Sequence, residues 1–143
     1  MRLIPLLAGC LILMGPAGLD SALAGVLIKV NKTTQRMHVV MNGEVRYSWA
    51  VSTGMSGYST PVGFHAPSHL AKHHRSREWD DAPMPHSIFF TSRGHAIHGS
   101  NAIHRLGSPA SHGCIRLSPA NAATLFALVK EEGIAHTRIS ITG

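Results

Sequence analysis

Cysteine is scarce in this chain: two among 143 residues, with two tryptophans, two tyrosines and seven acidic side chains. Aromatics make up 6% and charged residues 14%. Thirteen lysines and arginines outnumber the acids, giving a net charge of +6 with histidines neutral. They are scattered, without a basic run or interleaved aromatics, which argues against nucleic-acid binding. The longest apolar run, Leu3 to Met14, is broken by Gly15-Pro16 and is too short for a stable membrane span. There is no internal repeat and no linker, so the length favours one domain.

That apolar run instead reads as a secretory signal over Met1–Ala24. Arg2 supplies the positive start and Ala22-Leu23-Ala24 the small-residue cleavage site before Gly25. A lipoprotein signal ending at Leu7-Ala8-Gly9-Cys10 is the competing reading. Cleavage after Ala24 removes one cation, Arg2, and one acid, Asp20, and leaves the charge at +6. A basic exported protein is suited to anionic polymers or surfaces, although solubility alone also accounts for its charge. Exported cysteines usually pair. Here Cys10 leaves with the signal, so Cys114 has no intramolecular partner and is either buried and inert, cross-linked between chains, or reactive.

The remaining 25–143 reads as mainly β. Val26 to Val30 is a β-branched first strand, and Met37, Val39 and Met41 alternate along a second. Asn42-Gly43 is a hairpin turn, and a third strand returns with Val45, Tyr47, Trp49 and Val51 expected on one face. Thr53 to Gly63 is loop. Phe64 to Met84 shows no clean period and reads as an excursion with a short helical turn. It carries His65, His69, His73 and His74 at spacings that would suit a metal on a helix, though no carboxylate lies between them as in a metallopeptidase helix. Ser87 to Thr91 and His95 to His98 are strand-like. Ser118 caps the one clear helix, with Pro119 in its first turn, Ala122, Leu125, Phe126 and Val129 as its apolar stripe and Gly133 at its end. Thr137 to Ile141 closes the domain as a strand.

Chemistry concentrates in Ser111-His112-Gly113-Cys114-Ile115-Arg116-Leu117, with Ile97-His98-Gly99 upstream. A thiol attacks as thiolate and needs a base or cation beside it. His112 would share a face with Cys114 on an extended segment, whereas His98 ends a separate strand; spacing alone leaves both open as the base. Gly113 permits a sharp turn, and backbone N–H groups there can hold an oxyanion. Arg116 shares the parity of Cys114 and can grip a carboxylate in two-pronged fashion. The blander readings are a buried inert cysteine and a zinc site, for which His95 or His104 would be the fourth ligand. His86 and His136 read as surface or packing residues, and Trp49, Phe89 and Phe90 as core.

The two motifs together resemble the signature of the YkuD-type L,D-transpeptidases, exported bacterial peptidoglycan enzymes. Val51-Ser-Thr-Gly54, Thr60-Pro61-Val-Gly63-Phe64 and Ala82-Pro-Met84-Pro-His86-Ser-Ile-Phe-Phe90 are similar to the family's preceding segments. The resemblance implies a β-sandwich of mixed strands with one packed helix near the C-terminus. It implies Cys114 as nucleophile, His98 as base with the Gly99 carbonyl orienting its ring, and His112 as a catalytic residue that lines the site and helps to protonate or to hold the oxyanion. The Gly113 and Cys114 N–H groups would hold the oxyanion, Ser111 would support the loop, and Arg116 would bind substrate or brace the site. The expected substrates are peptidoglycan stem peptides, with a second stem, a wall-attached protein or water as acceptor, and no metal or organic cofactor is implied. The chain is expected to act as a monomer in the periplasm or cell envelope. An L,D-carboxypeptidase or protein-releasing hydrolase on the same scaffold is the near alternative; a non-catalytic histidine-rich metal- or wall-binding module is the distant one. Relatives often carry Tyr where His86 stands; if that tyrosine contributes to their site, His86 is expected to alter hydrogen bonding or pH response there.

Overall fold

A computed structural model describes residues 25–143; the expected signal Met1–Ala24, with Cys10, lies outside the described residues. Two sheets and one helix make up the described fold. The first sheet contains β1 (Val26–Asn31), β2 (Arg36–Met41), β3 (Glu44–Ala50), β4 (Gly63–His65) and β9 (Thr137–Thr142), in the order β3-β2-β1-β9-β4. β1, β2 and β3 are antiparallel neighbours, whereas β1 and β9 run parallel. The second sheet contains β5 (His69–Arg75), β6 (Pro83–Phe89), β7 (Ala96–Gly99) and β8 (Ile115–Leu117), in that order, with β7 and β8 parallel.

The alternation in the sequence is realised in the core. Val26, Ile28 and Val30 of β1 and Met37 and Val39 of β2 are buried on one face. They meet Ile88, Ile97, Ile115 and Leu117 of the second sheet and Ala122, Leu125, Phe126 and Val129 of α1 (Pro119–Glu132). The helix begins as expected: the Ser118 hydroxyl accepts the Asn121 N–H and Pro119 opens the first turn, where its missing N–H costs nothing. Gly133, at φ 95°, stops it.

Two expectations are corrected. Val45 does not share a face with Trp49 in a buried row. The register shifts between Val39 and Val40, so that Val39 opposes Tyr47 but Val40 opposes Val45, and Val45 is left exposed at the sheet edge. The segment after Phe64 is not an excursion with a helical turn but contributes β4 and β5. His69 stacks on Phe89 at 4.3 Å and His74 meets the same ring edge-on at 4.9 Å, while His65 sits in the other sheet. Among the described residues no three His, Cys, Asp or Glu side chains come together as a metal site. The histidines were spaced as on a helix, but strand pairing with β6 decided their direction.

Candidate active site

The second sheet uses its two faces differently. Ile97 of β7 and Ile115 and Leu117 of β8 point into the core, and Gly99 of the same parity lies against Ala122 and Pro119 of the helix. The opposite parity gives Ala96 and His98 on β7, and Cys114 and Arg116 entering and on β8. Parallel pairing sets His98 directly opposite Arg116. His98, Cys114 and Arg116 consequently line one cleft of about 850 Å³, together with Ser111 and His112.

His98 is almost fully buried. Its Nδ1 lies 2.7 Å from the carbonyl oxygen of Gly99. A carbonyl only accepts, so Nδ1 carries the proton and Nε2 is the bare, basic nitrogen of the neutral ring. Burial pushes the imidazole down to about 4; the Arg116 and His74 charges push the same way and the Gly99 hydrogen bond opposes them. Burial also pushes the Cys114 thiol up, more than the backbone hydrogen bond at Ala96 and the Arg116 charge pull it down. At neutral pH the cleft therefore holds a neutral thiol and a neutral imidazole. A neutral thiol and imidazole can react only if the proton moves during attack, since no standing thiolate is present.

The turn before Cys114 is held from three sides. Ser111 Oγ donates to the Cys114 carbonyl (2.5 Å) and accepts the Gly113 N–H (3.1 Å). Thr60 Oγ1 donates to the Gly113 carbonyl at 2.8 Å. The Ser111 backbone is bonded to Thr53 and Met55, which ties the turn to the segment after β3. Gly113 has φ 120°, a conformation open to glycine and strained for any other residue. This bend corrects the extended reading of the stretch, so His112 does not share a strand face with Cys114. The Gly113 N–H, expected to face an oxyanion, is donated to Ser111 Oγ in this structure. Arg116 Nη1 reaches the Ala110 carbonyl at 3.4 Å, a bracing contact at the wall of the cleft.

His112 is positioned by aromatic rings that sequence reasoning passed over. It stacks on Trp79 at 3.7 Å with the planes 11° apart, and Tyr58 meets its edge at 4.9 Å. Trp79 comes from the tip between β5 and β6, and Tyr58 from the loop after β3; neither lies in a motif or a period, so only the folded chain reveals them. His95 also lines the cleft, in contact with Gly113 and not in a zinc site. His86 does not line it. Its ring packs edge-on against Phe126 of the helix at 5.3 Å, which agrees with its reading as a packing residue. His104 is exposed on a short 3-10 turn, away from any metal cluster among the described residues. Phe90 is core as expected, whereas Phe89 is buried but borders the cleft.

A thiol just before β8 and a hydrogen-bonded imidazole on the parallel β7 thus line one cleft behind a glycine turn. Residues 25–140 match the YkuD family, the L,D-transpeptidase catalytic domain. The chain belongs to this family. Its fold is that of the L,D-transpeptidase from Mycobacterium smegmatis, with a TM-score of 0.75 at 22% identity over 84% of this chain and 59% of that one. The L,D-transpeptidase from Stackebrandtia nassauensis gives a TM-score of 0.74 at 24% identity over 90% and 62%. L,D-transpeptidase 3 from Mycobacterium tuberculosis, in complex with a faropenem-derived adduct, gives 0.66 at 19% over 83% and 60%. The YkuD chain described here thus spans about three fifths of the length of these solved relatives. No curated protein matches its sequence.

Proposed function

We propose that this YkuD chain is an exported peptidoglycan L,D-transpeptidase with Cys114 as its nucleophile and His98 as its base. The observation that carries the reading is the parallel pairing of β7 and β8, which puts the buried His98, its Nδ1 locked to Gly99, and Cys114 on the wall of one cleft. His98 Nε2 takes the thiol proton as Sγ attacks the carbonyl of the third stem residue, and returns it to the D-alanine amine that leaves. The thioester is then opened by an amine of a second stem, giving a cross-link between third residues. Arg116 has the parity and charge to hold a stem carboxylate. His112, clamped between Trp79 and Tyr58, forms part of the wall that excludes water. The signal expected at Met1–Ala24 supports a periplasmic or envelope location, where these stems are found. The neighbours' faropenem adduct supports a cleft that takes acyl donors.

The test is mass spectrometry after incubating the protein with purified disaccharide-tetrapeptide, beside Cys114→Ala. Transpeptidation predicts a cross-linked dimer one D-alanine short of two tetrapeptides, absent with the variant. A shortened monomer alone would mean that water resolves the thioester, as in an L,D-carboxypeptidase. A Cys114→Ala protein as active as the wild type would sink the nucleophile assignment.

A further inference from the structure

With the Gly113 N–H donated to Ser111, the turn before the thiol has lost one of the two backbone donors that an acyl-transfer site would ordinarily aim at an oxyanion. The Cys114 N–H makes no hydrogen bond within the protein among the described residues and is one remaining donor. A second donor is needed, and the imidazole of His95 stands against the same turn. A Cβ placed on Gly113 would lie 2.9 Å from both His95 Nε2 and Cδ2, so the nitrogen edge of this ring faces the glycine and the cleft it borders.

We infer that His95 is a further catalytic residue, which donates its Nε2–H to the carbonyl oxygen of the substrate as Cys114 attacks. The inference rests on the transpeptidase reading and adds the group that holds the developing charge. Thr91 accommodates the tautomer needed. Its Oγ1 accepts the His95 backbone N–H at 3.1 Å, and the same oxygen lies 2.7 Å from His95 Nδ1. With the hydroxyl donating to Nδ1, the ring proton sits on Nε2, the tautomer that this inference requires. Burial, then the Arg93 and His65 charges, lower the ring's proton affinity, against a smaller opposite effect of Glu78, which favours the neutral donor. His98 has the reverse arrangement, with its proton on Nδ1 and Nε2 bare. The two imidazoles on the same cleft are thus set up for different tasks, one to accept a proton and one to donate a hydrogen bond.

In the step itself the Sγ–C bond forms while the carbonyl π pair moves onto oxygen. Cys114 N–H and His95 Nε2–H hold that oxygen. The pair returns as the C–N bond to D-alanine breaks, and His98 delivers the proton to the departing amine. His95 begins and ends neutral.

The experiment compares wild type, His95→Phe and His95→Gln by two rates: thioester formation with disaccharide-tetrapeptide, and alkylation of Cys114 by iodoacetamide. Alkylation is a displacement at a saturated carbon and develops no oxyanion. Loss of one such donor typically slows acylation by about 100- to 1000-fold. The expectation is therefore a fall of that size for His95→Phe, partial rescue by His95→Gln, whose amide can donate, and alkylation within about twofold of wild type in both. Equal acylation by His95→Phe and wild type would overturn the inference, and so would a parallel fall in acylation and alkylation, which is the mark of a structural role. A wild-type protein that alkylates but forms no thioester would overturn the transpeptidase reading itself.

Discussion

At the scale of single residues, the site is governed by protons held where burial puts them. His98 has an ordinary value of 6.5 in an unfolded chain and about 4 in the fold. The unfolded chain therefore binds more protons between these values. The stability contributed by the neutral, buried ring is fully present above about pH 6.5 and is lost as pH falls through 4, on the order of 3 kcal/mol from this group. Activity follows the same ring: acylation is expected to hold down to mildly acidic pH and to fall as pH drops toward 4, because protonated Nε2 can no longer accept the thiol proton. A pH profile of thioester formation on wild type and His98→Gln checks this; an acid limb centred near 6.5 in the wild type would count against His98 as the base. Cys114 and both histidine motifs were legible in the sequence because cysteine is scarce in this chain and the lone thiol outside Met1–Ala24 directly follows His112-Gly113. The Ser111–Gly113 hydrogen bond was not, since it depends on the bend at a φ of 120°.

At the scale of elements, α1 is the clearest case of local code matching structure. Its cap, its proline and its apolar stripe fall where the sequence implied. Leu125 is fully buried among residues of both sheets, so Leu125→Ala is expected to cost about 2–5 kcal/mol. Urea unfolding followed by circular dichroism measures this, with the midpoint falling and the slope unchanged. β5 is the opposite case. His69-Leu-Ala-Lys-His-His-Arg75 has the composition of no preferred strand, and its residues are mostly exposed or half-buried. It is a strand because β6 offers a free edge to pair with. Charged and histidine side chains along this edge strand also discourage pairing with another chain. β5 ends in the tip that delivers Trp79 to His112, which gives the histidine-rich segment a use that metal binding had seemed to supply.

At the scale of the whole molecule, the first sheet supports a site that it does not contain. Gln35, buried at a φ of 52° in the turn between β1 and β2, donates from Nε2 to Thr53 Oγ1 at 2.7 Å and accepts the Thr53 N–H at 2.9 Å. The Thr53 carbonyl in turn accepts the N–H groups of Ala110 and Ser111, each at 3.0 Å. A side chain far from the thiol is thereby connected, through one residue, to the loop that shapes it. Gln35→Ala leaves the Thr53 N–H and hydroxyl without their buried partner and is expected to destabilise the fold by about 1–3 kcal/mol. It is also expected to slow iodoacetamide labelling of Cys114 or broaden its kinetics, whereas a thermal melt lowered with labelling unchanged would show that the link carries stability only.

The sequence by itself determined the strand parity of β1 and β2, the helix and its ends, and the residues able to do acyl-transfer chemistry, because these follow from neighbours a few positions apart. Only the tertiary structure decided which side of the second sheet those residues occupy, that β5 is a strand, that Trp79 and Tyr58 clamp His112, and that His95 meets Gly113. Each of these is a contact between segments distant in the chain, set by pairing and burial and carried by no local pattern.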